Sequence, residues 1–178
     1  MVFVMMTMSR TPLRRCYEIL TEEVDLTSPE NAVTEVPDGS IDFENVNFSY
    51  SKNLDKLCLK NINLHIRSGE TVGIIGGTGS GKSSLVQMIP RLYDTTEGSV
   101  KVGGINVKEY DLEVLRDSVA MVLQKNTLFS GTIRENMQWG KHNASDEEII
   151  EALKNAQAWN FVSSFPGGLD TDLNQGGV

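Results

Sequence analysis

The stretch Gly76-Gly77-Thr78-Gly79-Ser80-Gly81-Lys82-Ser83 fits the spacing G-x-x-x-x-G-K-[ST] of a phosphate-binding P-loop. Its surroundings agree. Glu70-Thr71-Val72-Gly73-Ile74-Ile75 ahead of it is a short β-branched run that reads as a buried parallel strand. Ser84-Leu85-Val86-Gln87-Met88-Ile89 behind it carries apolar residues at helical spacing. Strand, glycine loop and helix together predict an α/β fold around a phosphate-binding loop.

The residue types match what a nucleoside triphosphate needs. Several backbone N–H groups must converge on the phosphates, and glycines let the chain curl close without a Cβ in the way. A helix beginning near Gly81 adds its positive N-terminal end. Lys82 supplies a full charge to the β- and γ-phosphates. The Ser83 hydroxyl takes a place on Mg²⁺, which prefers oxygen ligands and shares them with the phosphates.

Working outward, residues 9–24 read as a helix with Leu13, Tyr17, Leu20 and Val24 on one face. Arg10, Arg14, Arg15, Glu18, Glu22 and Glu23 form its polar side, and Pro12 falls near the expected first turn. A polar linker rich in Ser, Pro and acidic residues runs to Pro37-Asp38-Gly39. From Ser40 the period changes to two. Ile41 and Phe43 alternate, then Val46, Phe48 and Tyr50, with a phase slip at Glu44-Asn45 that predicts a bulge. Leu57, Leu59, Ile62, Leu64 and Ile66 form a second alternating run, so an antiparallel β subdomain precedes the nucleotide loop.

Beyond the P-loop, Pro90 is expected to kink the helix or end its regular part. Gly103-Gly104 between two short apolar runs predicts a two-residue hairpin. Leu112 to Arg116 reads as a short helix, and Val119 to Leu123 as another buried strand ending at Gln124. Ser145-Asp146-Glu147-Glu148 is a capping box opening a helix whose buried face holds Ile149, Ile150, Leu153 and Ala156. Trp159, Phe161, Val162 and Phe165 continue an apolar cluster, and the end, Asn174 to Val178, is loop-like.

Composition bounds the remainder. The chain has 178 residues, enough for one domain with a core, with 39% hydrophobic and 22% charged residues, as in soluble globular proteins. A net charge of -8 argues against a general nucleic-acid binder. Cys16 and Cys58 match no metal or redox spacing and read as buried or idle thiols in a reducing compartment, and His65 reads as a polar-face strand residue. The apolar start, Met1 to Met6, is far shorter than the about 20 residues a spanning helix needs, and no signal-peptide pattern is present.

At this point the residues resemble a family. Phe48-Ser49-Tyr50, the P-loop, Arg91-Leu92-Tyr93-Asp94 with Gly98, and Val122-Leu123-Gln124 resemble the nucleotide-binding domain of ABC transporters. Leu128-Phe129-Ser130-Gly131-Thr132-Ile133-Arg134-Glu135-Asn136 with Trp139-Gly140 is similar to exporter-type domains, those fused to a membrane domain in one chain. The resemblance covers about Asp38 to Val178. It implies that residues 1–37 are a helical linker from a transmembrane domain and 38–178 a partial ATP-binding domain, an α/β P-loop NTPase (RecA-like) core with the antiparallel β subdomain and the start of a helical subdomain.

The same resemblance implies roles. Tyr50 falls where the family stacks an aromatic on adenine, a flat ring facing a flat ring. Gln124 falls at the glutamine loop, reaching Mg²⁺ and the attacking water. The implied ATP-binding set is Tyr50, Gly76, Gly77, Thr78, Gly79, Ser80, Gly81, Lys82, Ser83, Ser84 and Gln124, with Ser83 and Gln124 toward Mg²⁺. The Gln124-to-Asn136 segment is expected to meet the transmembrane domain on the cytoplasmic face of a membrane. A second nucleotide-binding domain is expected head to tail, and no nucleic acid.

The departures carry expectations too. Gly176-Gly177 stands where the family's Leu-Ser-Gly-Gly-Gln signature would follow. Signature, Walker B carboxylate, catalytic glutamate and switch histidine do not occur in the sequence, so no catalytic residue is assigned and the chain is expected to be truncated at both ends. It is expected to bind Mg-ATP weakly and not to turn it over. The alternative is an inactive ATP-binding module pairing with an intact partner. A P-loop GTPase is disfavoured by the lack of Asn-Lys-x-Asp, and a P-loop kinase by the lack of an arginine-rich lid.

Overall fold

A computed structural model describes residues 2–22 and 24–174, with side chains from Arg10 onward. Glu23 of the expected first helix and the expected terminal loop at 175–178, with Gly176-Gly177, lie outside the described residues. The chain divides into two compact units, Met1–Ala120 and Met121–Val178.

The first unit is organised around strand β1 (Ile41–Phe48), which pairs antiparallel on both sides, with β2 (Leu59–Ile66) and with β3 (Glu97–Val102). A two-residue strand β4 (Ile105–Asn106) extends the sheet, giving the order β2-β1-β3-β4. The β3–β4 turn is Gly103-Gly104, with φ of 57° and 77° at its two positions, the left-handed pair that a tight hairpin demands. The phase slip at Glu44-Asn45 is a bulge. Asn45 has φ 48° and the pairing skips from Phe43 to Val46 against β2, and from Glu44 to Asn47 against β3. Side chains repair the ladder there: Asn63 Oδ1 accepts from the Asn45 N–H at 2.9 Å, and Asn47 Oδ1 from the Asn61 N–H at 2.7 Å.

One face of this sheet is buried. Phe43, Val46, Phe48, Leu59, Val100 and Val102 pack with Met88, Val107, Tyr110 and Leu115 into a single apolar cluster. Each such side chain contributes about 1.5–3 kcal/mol relative to exposure. The Tyr110 hydroxyl, carried into this core, donates to the Val102 carbonyl at 2.8 Å, so its polar atom is satisfied. Helix α2 (Lys82–Gln87) follows the P-loop and ends before Pro90, as expected. Helix α3 (Leu112–Asp117) is capped by Asp111, whose carboxylate accepts from the Glu113 and Val114 N–H groups. The bond from Val114 and then one from the Ser28 hydroxyl hold its pKa below the usual carboxylate range.

Three expectations change. The first helix, α1 (Val2–Leu20), starts earlier and ends sooner than 9–24, and Pro12 lies in its interior. Its apolar stripe is not buried: Leu13 is 72% and Leu20 83% exposed. Residues 71–77 form no strand, and Val72, Ile74 and Ile75 are exposed, Ile75 at 99%. Residues 119–123 form none either, with Val122 at 90%. A strand satisfies its backbone only through neighbours. Among the described residues every pairing of named strands is antiparallel, and the isolated parallel bridge Val33–Tyr110 involves neither run.

The second unit is mainly helical: α4 (Ile133–Met137), α5 (Asp146–Asn155) and α6 (Trp159–Val162), with a short pair β5 (Gly131–Thr132) and β6 (Asp172–Leu173). The expected capping box Ser145/Glu148 is formed, and Thr132/Glu135 makes a second one. Ile149 and Leu153 are buried with Ile133, Val162, Leu169 and Leu173, whereas Ala156 at the end of α5 is exposed. Arg134 ties the unit together by pairing with both Asp146 and Asp170.

Candidate functional site: the P-loop cleft

The P-loop takes its shape from three local facts. Gly79 and Gly81 adopt φ of 80° and 84°, conformations an L side chain rarely enters. Gly81 caps α2 from the left-handed region, and a Cβ there would meet Leu59 Cδ2 at 2.7 Å and the Cys58 carbonyl oxygen at 3.1 Å. Its lack of a side chain therefore lets the loop lie against β2. The first-turn N–H groups of α2 have no acceptor within the helix, which leaves them as donors at the loop.

Lys82 bends back over the loop. Its Nζ donates to the Gly76 and Gly77 carbonyls, both at 2.7 Å, and to Ser80 Oγ at 3.2 Å. The ammonium is thereby fixed within the loop's own curl. Ser83 is exposed, and among the described residues its hydroxyl makes no side-chain hydrogen bond. Ser84 is the opposite: it is 5% exposed and shares a 2.8 Å hydrogen bond with the Tyr50 hydroxyl.

Tyr50, Cys58 and the run Gly79 to Ser84 line one cleft of about 270 Å³. The fold thus brings together Tyr50, Gly79, Ser80, Gly81, Lys82, Ser83 and Ser84 from the sequence-based set. Gly76 and Gly77 contribute through the carbonyls that hold Lys82, and Thr78 sits in the turn that follows them. Gln124 lies in the second unit and is exposed. The cleft's charge comes from Lys82, and among the described residues no carboxylate lines it. It is built to attract an anion.

One neighbour escaped the sequence reading. Cys58, expected to be buried or idle, lines the cleft with its Sγ 3.4 Å from Ser84 Oγ. Ser84 anchors the aromatic through its hydroxyl. Cys58 had no sequence signal, because its place at the cleft depends on β1–β2 pairing. The Cys58 N–H donates to the Phe48 carbonyl at 2.7 Å, which sets residue 58 beside the turn holding Tyr50.

Comparison with known proteins agrees with this geometry. The family model for "ABC transporter" matches residues 59–176. A multidrug export ATP-binding/permease protein of Bacillus subtilis (strain 168), YgaD, is 42% identical over 174 residues, 97% of this chain and 30% of the relative. A multidrug export ATP-binding/permease protein of Staphylococcus aureus (strain NCTC 8325 / PS 47) is 40% identical over 163 residues, 91% of this chain and 28% of the relative. Among solved structures, that of a bacterial Atm1-family ABC exporter with ATP bound superposes with a TM-score of 0.86 at 26% identity, covering 98% of this chain and 31% of that one. The chain therefore spans about 30% of the length of the relatives it matches. With the P-loop, the aromatic at its mouth and a family model matched over most of its length, the chain belongs to the ABC transporter family.

Proposed function

We propose that this chain is the ATP-binding portion of an exporter-type ABC transporter, whose whole protein couples ATP binding and hydrolysis to solute export across a membrane. The observation that carries the reading is the single cleft shared by Tyr50 and the P-loop, with Lys82 as its charge. Lys82 and the loop N–H groups bind the phosphates, Tyr50 presents its ring to adenine, and Ser83 offers an oxygen to Mg²⁺. The donor set suits that ion, since one protein hydroxyl, phosphate oxygens and water make up the usual magnesium shell. Gln124 is assigned a further Mg²⁺ contact.

In this reading residues 1–37 lead from a transmembrane domain, and 38–178 form part of the ATP-binding domain at its cytoplasmic face. The transmembrane partner meets the Gln124-to-Asn136 region. That region carries exposed apolar surface suited to a partner: Phe129 stacks on Trp139 with ring centroids 5.0 Å apart, 56% and 73% exposed. A second nucleotide-binding domain completes the ATP site head to tail.

The narrower reading is an ATP-binding module that does not hydrolyse by itself. Hydrolysis needs a group to orient or deprotonate water as well as phosphate positioning. Titration calorimetry of the 178-residue chain with Mg-ATP, paired with a phosphate-release assay, tests both. Binding is expected, and Lys82→Ala should weaken it by about tenfold or more, since a charge-assisted phosphate contact is lost. Absence of binding refutes the assignment. Turnover that Lys82→Ala abolishes refutes the non-hydrolysing reading.

A further inference from the structure

Tyr50 belongs to two hollows. Its hydroxyl end is bonded to Ser84 in the P-loop cleft. Its ring stands edge-on to Phe48, with centroids 4.7 Å apart, and to Tyr93, with centroids 5.1 Å apart, in a second hollow of about 320 Å³. Leu92 adds to this aromatic cluster, and the hollow's remaining apolar wall is Leu26, from the segment between α1 and β1. At its rim Lys52 Nζ meets Asp25 Oδ2 at 3.1 Å.

The segment that carries Leu26 is fastened, not draped. The Thr27 carbonyl accepts from Arg91 Nη1 at 3.2 Å, and Arg91, 6% exposed, is itself held by Asp94. Ser28 Oγ donates to Asp111 Oδ2 at 3.0 Å and accepts from the Leu112 N–H at 3.0 Å. Val33 bridges to Tyr110 by two backbone hydrogen bonds, Val33 N–H to the Glu109 carbonyl and Asp111 N–H to the Val33 carbonyl. The wall is pre-formed, so a flat ligand entering the hollow meets little ordering cost.

We infer that residues 25–26 form the second wall of the base site, with Leu26 packing against the purine and the Asp25–Lys52 pair reading its polar edge. The inference rests on the proposed nucleotide function. Phosphates held at Lys82 place the attached base toward Tyr50, and the hollow offers it aromatic faces, an aliphatic wall and one polar rim. Planar bases gain from such faces whatever their sequence of substituents, while the rim supplies hydrogen-bonding groups of both kinds. The segment leading from α1 thereby becomes part of the nucleotide site.

The test compares two probes on the full 178-residue chain with Mg²⁺: ATP, and inorganic tripolyphosphate, which has phosphates and no base. Leu26→Ala and Lys52→Ala should each weaken ATP binding by about three- to tenfold, from lost apolar contact and lost hydrogen bonding, and leave tripolyphosphate binding unchanged. Lys82→Ala should weaken both probes. If ATP affinity is unmoved by Leu26→Ala and Lys52→Ala while Lys82→Ala still weakens both probes, the linker wall is refuted and the P-loop assignment stands. If Lys82→Ala moves neither probe, the assignment itself falls. An equal loss for both probes in Leu26→Ala and Lys52→Ala means a general disturbance of the unit and also overturns the base wall.

Discussion

Replacing Gly81 by alanine, with Gly79→Ala as its internal control, separates two reasons for glycine in one loop. Both positions hold φ near 80°, at 80° for Gly79 and 84° for Gly81, so either alanine incurs left-handed strain of about 1–2 kcal/mol. They differ in space. A Cβ at Gly79 meets nothing within 4 Å, whereas at Gly81 it meets Leu59 Cδ2 at 2.7 Å and the Cys58 carbonyl at 3.1 Å. Leu59 is 5% exposed in the core, so its methyl has little room to retreat, and a backbone carbonyl has less. Overpacking of this kind adds about 1–3 kcal/mol. Gly81→Ala should therefore destabilise the first unit by about 2–5 kcal/mol and Gly79→Ala by about 1–2 kcal/mol. Both tryptophans, Trp139 and Trp159, lie in the second unit, so their fluorescence does not report the first. Hydrogen exchange at the amides of β1 and β2 does, because it reads the free energy of local opening. Equal losses in the two variants would refute the packing argument and leave backbone strain as the whole effect.

Further outcomes follow from single contacts. Tyr50→Phe removes the 2.8 Å bond to Ser84 and keeps the ring, so it should cost about 0.5–1.5 kcal/mol by hydrogen exchange and alter ATP affinity less than Tyr50→Ala does. Asn136 holds the Phe129 N–H and carbonyl and the Thr132 carbonyl, all within 2.9 Å, so Asn136→Ala should release the Phe129–Trp139 stack and change Trp139 fluorescence. An unaltered spectrum would count against that clamp. Asp170 is held below the usual carboxylate range by its bond to Arg134, and Glu148 by its bond to Lys141 and by the Ser145 N–H. Because these folded-state values lie below the unfolded ones, their stabilisation is complete above about pH 4 to 4.5 and is lost as pH falls through the depressed values. Acid unfolding of the second unit, followed by tryptophan fluorescence, should therefore steepen below about pH 4, and Asp170→Asn should flatten it; an identical acid limb in that variant would overturn the linkage.

What the sequence by itself determined are the features that close their own hydrogen bonds within a few residues. The P-loop turn, the Gly103-Gly104 hairpin, the Ser145 capping box and the stop before Pro90 all rest on chemistry between near neighbours. The bulge at Asn45 was legible as a break in alternation. What only the tertiary structure decided are contacts that no local pattern encodes. Tyr50 finds Ser84 across 34 positions, Arg91 finds Thr27 across 64, and Cys58 reaches the cleft because β2 pairs with β1. The runs at 71–75 and 119–123 show the same division from the other side. Their apolar, β-branched composition marks them as strands, yet composition supplies no partner, and a strand exists only where another backbone takes up its N–H and C=O groups. A helix or a turn satisfies itself; a strand and a site wait for the rest of the fold.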